Sequence, residues 1–430
     1  MRMQKYDLPK EVSNRIVDPK SHTDIDGLHE IYTWARANNP VGRATADGHD
    51  PFWVVTKHAD VSMISRNNTL FHNGDYSVVC RPKASIEHIM SATGSPNIVR
   101  SLVHIDGEEH KSLRALTQSW FMPNSILQLE DRIRSLARTM VVKLQQHNGE
   151  VIDFSGAFAS QYPLNVIMDI LGVPQEDFPR ILALTYEMFG SEDAEYTRET
   201  QRPGDASSAT GKVLLSVVDD FREYFESLNE ARRKDPRNDV ASLLANAVIN
   251  GQPIDDVTRL GYYVIIAAAG HHTVSSSTSV AMWALCRFTE LLPQLQANRL
   301  LIPKFIDECL RFASPVHHFM RTATADTNIR GRKICKGDWL MLCYGSANRD
   351  EEVFPSPFTF NIDRRPNPHI AFGVGAHVCL GQHLAHMEMR ILFEELIPRL
   401  QRAELMGEIE CMESNFVCGP KHLPVRCMLQ

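Results

Sequence analysis

Apolar residues three and four apart dominate most of this chain. In NSILQLEDRIRSLARTMVVKLQQ (124–146) they line one face of a 3.6-residue period, which predicts an amphipathic helix. The same pattern predicts helices across most of 108–233, around 27–39 and over KFIDECLRF (304–312). GYYVIIAAAGHHTVSSSTSVAMWAL (261–285) is apolar almost all round and predicts a buried helix, although it carries His271, His272 and Gly270. Two regions read differently. FWVVT (52–56), after a glycine turn at Gly48, and RTATADTNIRGRKICKGDWLMLCYGSANRD (321–350), turning at Gly331 and Gly337, predict short strands. GSEDAEYTRETQRPGDASSATG (190–211) is polar and punctuated by Gly and Pro, and predicts a surface insertion or lid that does not pack.

Composition narrows the function classes. With 430 residues, 43% hydrophobic and 23% charged, the chain is of ordinary globular type. Its net charge of −7 offers no global field for nucleic acid. No segment supplies the ~20 uninterrupted apolar residues of a bilayer span, and the N-terminus lacks a signal-peptide core. A soluble cytoplasmic protein without a membrane partner is expected. Nine cysteines without CxxC pairs argue against zinc and against a disulfide framework.

One cysteine stands apart. Cys379 lies in FGVGAHVCLG (372–381), a glycine-rich loop running into a helix. Gly373 and Gly375 permit positive φ and close backbone approach, so amide N–H groups can turn toward the sulfur. A helix N-terminus and donated hydrogen bonds favour a thiolate. Elsewhere, Glu308 and Arg311 share a helix face, as do His110 and Arg114 in GEEHKSLR. For the adjacent His271 and His272 three readings stand: a metal site, two satisfied core histidines, or a polar notch beside a reaction chamber. Side chains next to each other on a helix point ~100° apart, which disfavours one metal held by both.

The pattern FGxGxHxCxG resembles the haem-binding signature of the cytochrome P-450 monooxygenases. The likeness extends from about residue 25 to 425. Within that family it is greatest to soluble bacterial terpene hydroxylases, through DPFWVVTKHADV, FMRTATADT, SANRDEEVF, GAHVCLGQHLA and NFVCGPKHLPVR. The resemblance implies a mainly α, triangular-prism haem-thiolate fold forming one domain over 1–430, with a β-rich lobe from about 40–80 and 315–350. It implies haem b held by an axial thiolate from Cys379. His110, Arg114, Arg321 and His377 are then the propionate clamp. Phe372, Gly373 and Gly381 frame the haem, Glu308 and Arg311 form the structural ExxR pair with a downstream arginine, and Arg349 is a further landmark.

AGHHT (269–273) becomes the centre of a distal helix over the haem. Gly270 is expected to widen that helix and make room for O2, and Thr273 to guide protons. His272 stands where the family has an acid. It is expected to relay protons with greater pH sensitivity than a carboxylate, or alternatively to bond a neighbouring helix. Substrate contacts are expected from the loop near 87–103 and from Ala268, Ala269, Thr273, Val316, Phe319, Phe416 and Val417, with His317 and His318 as polar anchors.

The implied activity is hydroxylation of an unactivated C–H bond of a small hydrophobic substrate, a terpenoid or alkyl-aromatic. The oxidant is O2, and electrons come from NAD(P)H through a ferredoxin reductase and a ferredoxin. The ferredoxin is expected to dock on a monomer behind Cys379, near Arg364, Arg365 and Lys111. A steroid or polycyclic aromatic substrate is the second reading, and a peroxide-driven peroxygenase follows from the missing acid. A haem-based sensor is disfavoured by Thr273.

Overall fold

The long apolar run folds as one uninterrupted α-helix, Asp256–Arg287. Asp255 caps its N-terminus, accepting the N–H of Thr258 at 2.8 Å. The helix is buried along its length, Tyr262, Ala267, His271, Ser276 and Met282 included. It packs against helices Gln161–Leu171, Ala206–Lys234 and Ile302–Ala313. A Cβ on Gly270 would lie 2.6 Å from Cγ1 of Ile167. Glycine is therefore needed for close approach of helix Gln161–Leu171, and the expected widening of the long helix does not occur.

The computed structural model describes residues 6–197 and 206–430, is 54% helical and carries a smaller sheet-containing region. Five strands form the main sheet in the spatial order Val41–Ala44, Phe52–Val55, Trp339–Cys343, His318–Ala323 and Phe71–His72. Trp339–Cys343 runs parallel to Phe52–Val55, with Met341 opposite Val54, and antiparallel to His318–Ala323, with Met341 opposite Met320. Leu28, Tyr32, Phe52 and Met320 pack in one buried cluster, and Val41, Trp53, Phe71 and Leu340 in another. Burial on both faces explains why FWVV is apolar without alternation.

Two differences from the sequence pattern have clear causes. A second sheet, Leu400–Leu405, Pro424–Leu429 and Val151–Asp153, joins segments more than 240 residues apart, so no local signal marks it. The polar segment at 190–211 does pack where it is described. Asp193 is buried, and Lys421 bridges it and Glu195 at 3.1 Å each. From Ala206 the chain is already helical. Residues 198–205 of the expected lid lie outside the described residues.

Two further elements position the site. Helix Ile302–Ala313 carries Glu308 and Arg311, and a tight loop passes Cys379 into helix Gln382–Leu396. In that loop Gly375 has φ +87°, and a Cβ there would sit 2.5 Å from the Ser65 carbonyl oxygen, so no other residue fits. Among the described residues no helix is long and apolar enough to cross a membrane.

Candidate active site

A cavity of about 310 Å³ lies between the long helix and the loop around Cys379. Ala268, Ala269, Gly270 and Thr273 line one side, and Phe372, Gly373, Cys379 and Gly381 the other. Cys379 is enclosed by protein, yet its side chain keeps open surface because it faces this cavity. Its N–H donates to the Phe372 carbonyl at 2.9 Å, which closes the loop. The N–H groups of Gly381 and Gln382 point at the sulfur as the glycine-rich pattern suggests. Burial nonetheless outweighs them and Arg114, and pushes the thiol pKa up. A metal cation held by the sulfur would secure its ionisation, because coordination deprotonates a thiol outright.

The four residues read as a propionate clamp all line the cavity. The rings of His110 and His377 stand 4.2 Å apart, and His377 Nε2 bonds Asp106 at 3.2 Å. Arg321 donates to its neighbour's carbonyl, that of Met320, at 2.8 Å. Nε2 of buried His110 has no partner, and the Arg114 guanidinium makes no hydrogen bond among the described residues. Unpartnered donors converging on an apolar chamber, with a sulfur across from them, suit a flat apolar cofactor bearing carboxylates. The residues present therefore fit haem.

On the long helix, the Thr273 hydroxyl donates to the Ala269 carbonyl at 2.9 Å while lining the cavity. His271 and His272 turn away from it. His271 is satisfied by the Ser160 carbonyl at 3.0 Å and the Thr185 hydroxyl at 3.4 Å. The two imidazole centroids lie 6.1 Å apart and do not converge on a metal. His272 packs among Tyr186 and Phe189 with neither ring nitrogen bonded. Burial lowers its pKa to about 4, so it is neutral near pH 7. The pH-sensitive relay expected of it lacks a titration in that range.

Val316, Phe319, Phe416 and Val417 line the cavity, as do Pro96 to Val99 from the loop near 87–103. His317 and His318 do not. His317 Nδ1 bonds His22 Nδ1 at 2.7 Å. His318 accepts the Cys80 N–H at 2.9 Å and donates to the Asn415 carbonyl at 3.0 Å. Both histidines are spent on packing, which removes them as substrate anchors.

Their place is taken by two residues the sequence pattern did not mark. Arg81 and Glu192 both line the cavity, and among the described residues neither has a hydrogen-bond or ion-pair partner. Glu192 also borders a surface cleft with Asn14, Asp18 and Asp47, so it stands in the wall between cavity and exterior. Burial raises its pKa to about 7 against the pull of Arg81. A third missed group is Glu388, a buried cavity-lining acid whose pKa desolvation raises well above the usual carboxylate range.

Beneath the site the ExxR pair is wholly buried. Arg311 meets Glu308 through two bonds of 2.8 and 2.7 Å and donates to the carbonyls of Asn348 and Pro357. Arg364 donates to the Pro355 carbonyl at 2.7 Å and lies 3.4 Å from Glu308. It is the downstream arginine of this cluster and is too buried to meet a docking protein, which corrects the surface role expected for it. Arg365 is exposed, and Lys111 is exposed but paired with Glu108 at 2.5 Å. Arg349 holds the Phe312 carbonyl at 2.6 Å.

Comparison with known proteins agrees with this geometry. The cytochrome P450 family profile matches residues 77–423. Cytochrome P450-terp of a Pseudomonas species is 41% identical over 97% of this chain and 98% of its own length. Linalool 8-monooxygenase of Pseudomonas putida is 31% identical, covering 92% and 95%. The crystal structure of CYP108D1 from Novosphingobium aromaticivorans superposes with a TM-score of 0.90 at 40% identity, covering 99% and 100%. At these identities, and over nearly the full length of both partners, the chain belongs to the cytochrome P450 family of monooxygenases, which bind haem through an axial cysteine thiolate.

Proposed function

We propose that this monooxygenase hydroxylates an unactivated C–H bond of a monoterpenoid alcohol in the cytoplasm, with electrons delivered by a ferredoxin. The observation that carries the reading is the cavity, apolar through Ile98, Leu102, Val264, Phe319 and Phe416 but holding unpartnered Arg81 and Glu192. A hydroxyl both accepts and donates, so it can take an Arg81 N–H and give its proton to the Glu192 carboxylate. Relatives named for terp and for linalool support the same class.

When bound, haem supplies the O2-derived oxidant. The chain's own residues do the rest. Cys379 would ligate the iron, and His110, Arg114, Arg321 and His377 would hold the propionates. Arg81 and Glu192 fix the substrate's polar end and leave its hydrocarbon end toward Cys379. Phe319 and Phe416 exclude water. The Thr273 hydroxyl, anchored on the Ala269 carbonyl, accepts and returns a proton at Oγ1. His272 positions Phe189 by packing and keeps its proton state fixed across neutral pH.

Turnover with NADH, ferredoxin reductase and ferredoxin should convert a monoterpenoid alcohol to a diol faster than H2O2 alone does. Equal or greater rates with H2O2 would favour a peroxygenase, and preferred turnover of a steroid would overturn the substrate class. Thr273→Ala should lower product formed per NADH on the order of tenfold with little change in substrate affinity. An unchanged ratio would remove Thr273 from proton handling.

A further inference from the structure

We propose that Asp307, His369 and His386 form a binding site for a divalent transition-metal cation, with zinc suiting the donor set, behind the haem loop. One ligand atom from each residue lies within 4.8 Å of the other two. The three come from separate elements: Asp307 from helix Ile302–Ala313, His369 from the loop leading to Cys379, and His386 from helix Gln382–Leu396. None of them lines the substrate cavity, and Phe372, which does, stands 5.0 Å from the His386 ring and 6.2 Å from that of His369.

The hydrogen bonds fix the chemistry. His386 Nδ1 donates to the Gln382 carbonyl at 2.8 Å. In the neutral ring this leaves a lone pair on Nε2, which points at Asp307 Oδ1 from 3.0 Å. Two acceptors at that distance require a cation or a proton between them. His369 adds an imidazole whose Nδ1 has no partner. Two imidazoles and one carboxylate, with a carbonyl orienting one ring from outside, are a borderline-soft donor set with its supporting contact in place. Aspartate and histidine side chains exposed by 46% and 37% give an ion and a completing water a path from solvent.

Zinc bonds of ~2.0–2.1 Å in a tetrahedron place ligand atoms roughly 3.3 Å apart. The Asp307–His386 pair already meets that spacing, and His369 needs a shift of the order of an ångström. A bound ion would tie the helix of Glu308 and Arg311 to the helix that follows Cys379. It would thereby brace the scaffold that presents the thiolate.

The test is calorimetric titration of zinc chloride into chelator-treated holoenzyme, for wild type, His386→Gln and His369→Gln. The reduced-CO spectrum checks that each variant keeps its thiolate-bound haem. The expected result is one zinc ion per wild-type chain, with affinity at least about tenfold weaker in each variant. Zinc should also raise the Tm of the wild type and not of the variants. Equal zinc binding by all three proteins would assign the ion to other surface histidines and overturn the site. No binding by wild type would do the same, leaving only a protonated His386 paired with Asp307.

Discussion

Arg311→Ala is expected to lose roughly 3–5 kcal/mol of stability and to fail to retain haem. Arg311 and Glu308 have side chains with no exposed area. Removing the guanidinium leaves the carbonyls of Asn348 and Pro357 without their donor. It also leaves the Glu308 carboxylate with Arg364 at 3.4 Å, Asn367 at 3.2 Å and the Asn361 N–H at 2.9 Å as its remaining partners. A buried charge deprived of its main partner costs far more than an exposed pair ever contributes. Whole-domain stability is about 5–15 kcal/mol, so the loss is a large fraction of it. The damage also falls on the segments that lead into the Cys379 loop. Arg311→Lys keeps the charge and loses the two-pronged contact, so it should fall between. Denaturant unfolding with haem content by absorbance measures both effects, and an alanine variant within about 1 kcal/mol of wild type with full haem would contradict the assignment.

Stability should also collapse between pH 6.5 and 5. His22, His271, His272 and His318 are buried, and desolvation lowers each from 6.5 to about 3–4. The unfolded chain takes up a proton at each of these groups below pH 6.5 and the folded chain does not. Their contribution is therefore complete above pH 6.5 and lost as pH falls toward the folded values. By pH 5 the cost is about 2 kcal/mol for each group, and together it approaches the stability of a whole domain. His318 shows the geometric reason: its Nε2 accepts the Cys80 N–H, a bond a protonated ring cannot make. His386 and His422 have raised values and act in the opposite sense, but both are more than a third exposed and offset little. Melting temperatures across pH 7.5 to 5 should fall steeply below 6.5, and a flat profile would contradict the burial of these rings.

How much of this was legible in the chain depends on how local each signal is. The long helix, the FWVV strand and the loop around Cys379 are written in consecutive residues, so period and glycine placement reveal them. The ExxR pair is legible only through its position some seventy residues before Cys379 in the family pattern, since such a spacing alone is common on exposed helices. Arg364 was not, because an arginine in a Pro-rich loop reads as solvated until Glu308 arrives from 56 residues away. His317 and His318 read as anchors because they are the polar residues of the segment 316–319 expected to face the substrate. Their partners, His22, Cys80 and Asn415, are 97 to 295 residues distant. Glu192 lies in a segment that reads as too polar to pack, and no motif marks Arg81. Gly270 is expected from the sequence to widen the helix, and the helix instead runs uninterrupted through it. What requires the glycine is the neighbouring helix at Ile167, which no local pattern shows.

Selection of a hydroxyl-bearing terpenoid by Arg81 and Glu192 is read out by the substrate-induced low-to-high-spin shift of the haem. The titration compares a monoterpenoid alcohol with the hydrocarbon of the same skeleton, in wild type, Arg81→Met and Glu192→Gln. Hydrogen bonds to charged groups are worth about 1.5–3 kcal/mol, so wild type should prefer the alcohol by roughly 10- to 100-fold. Each variant should lose most of that preference while still binding the hydrocarbon. Equal affinity for alcohol and hydrocarbon in wild type, or a preference that survives both substitutions, would remove Arg81 and Glu192 from substrate selection.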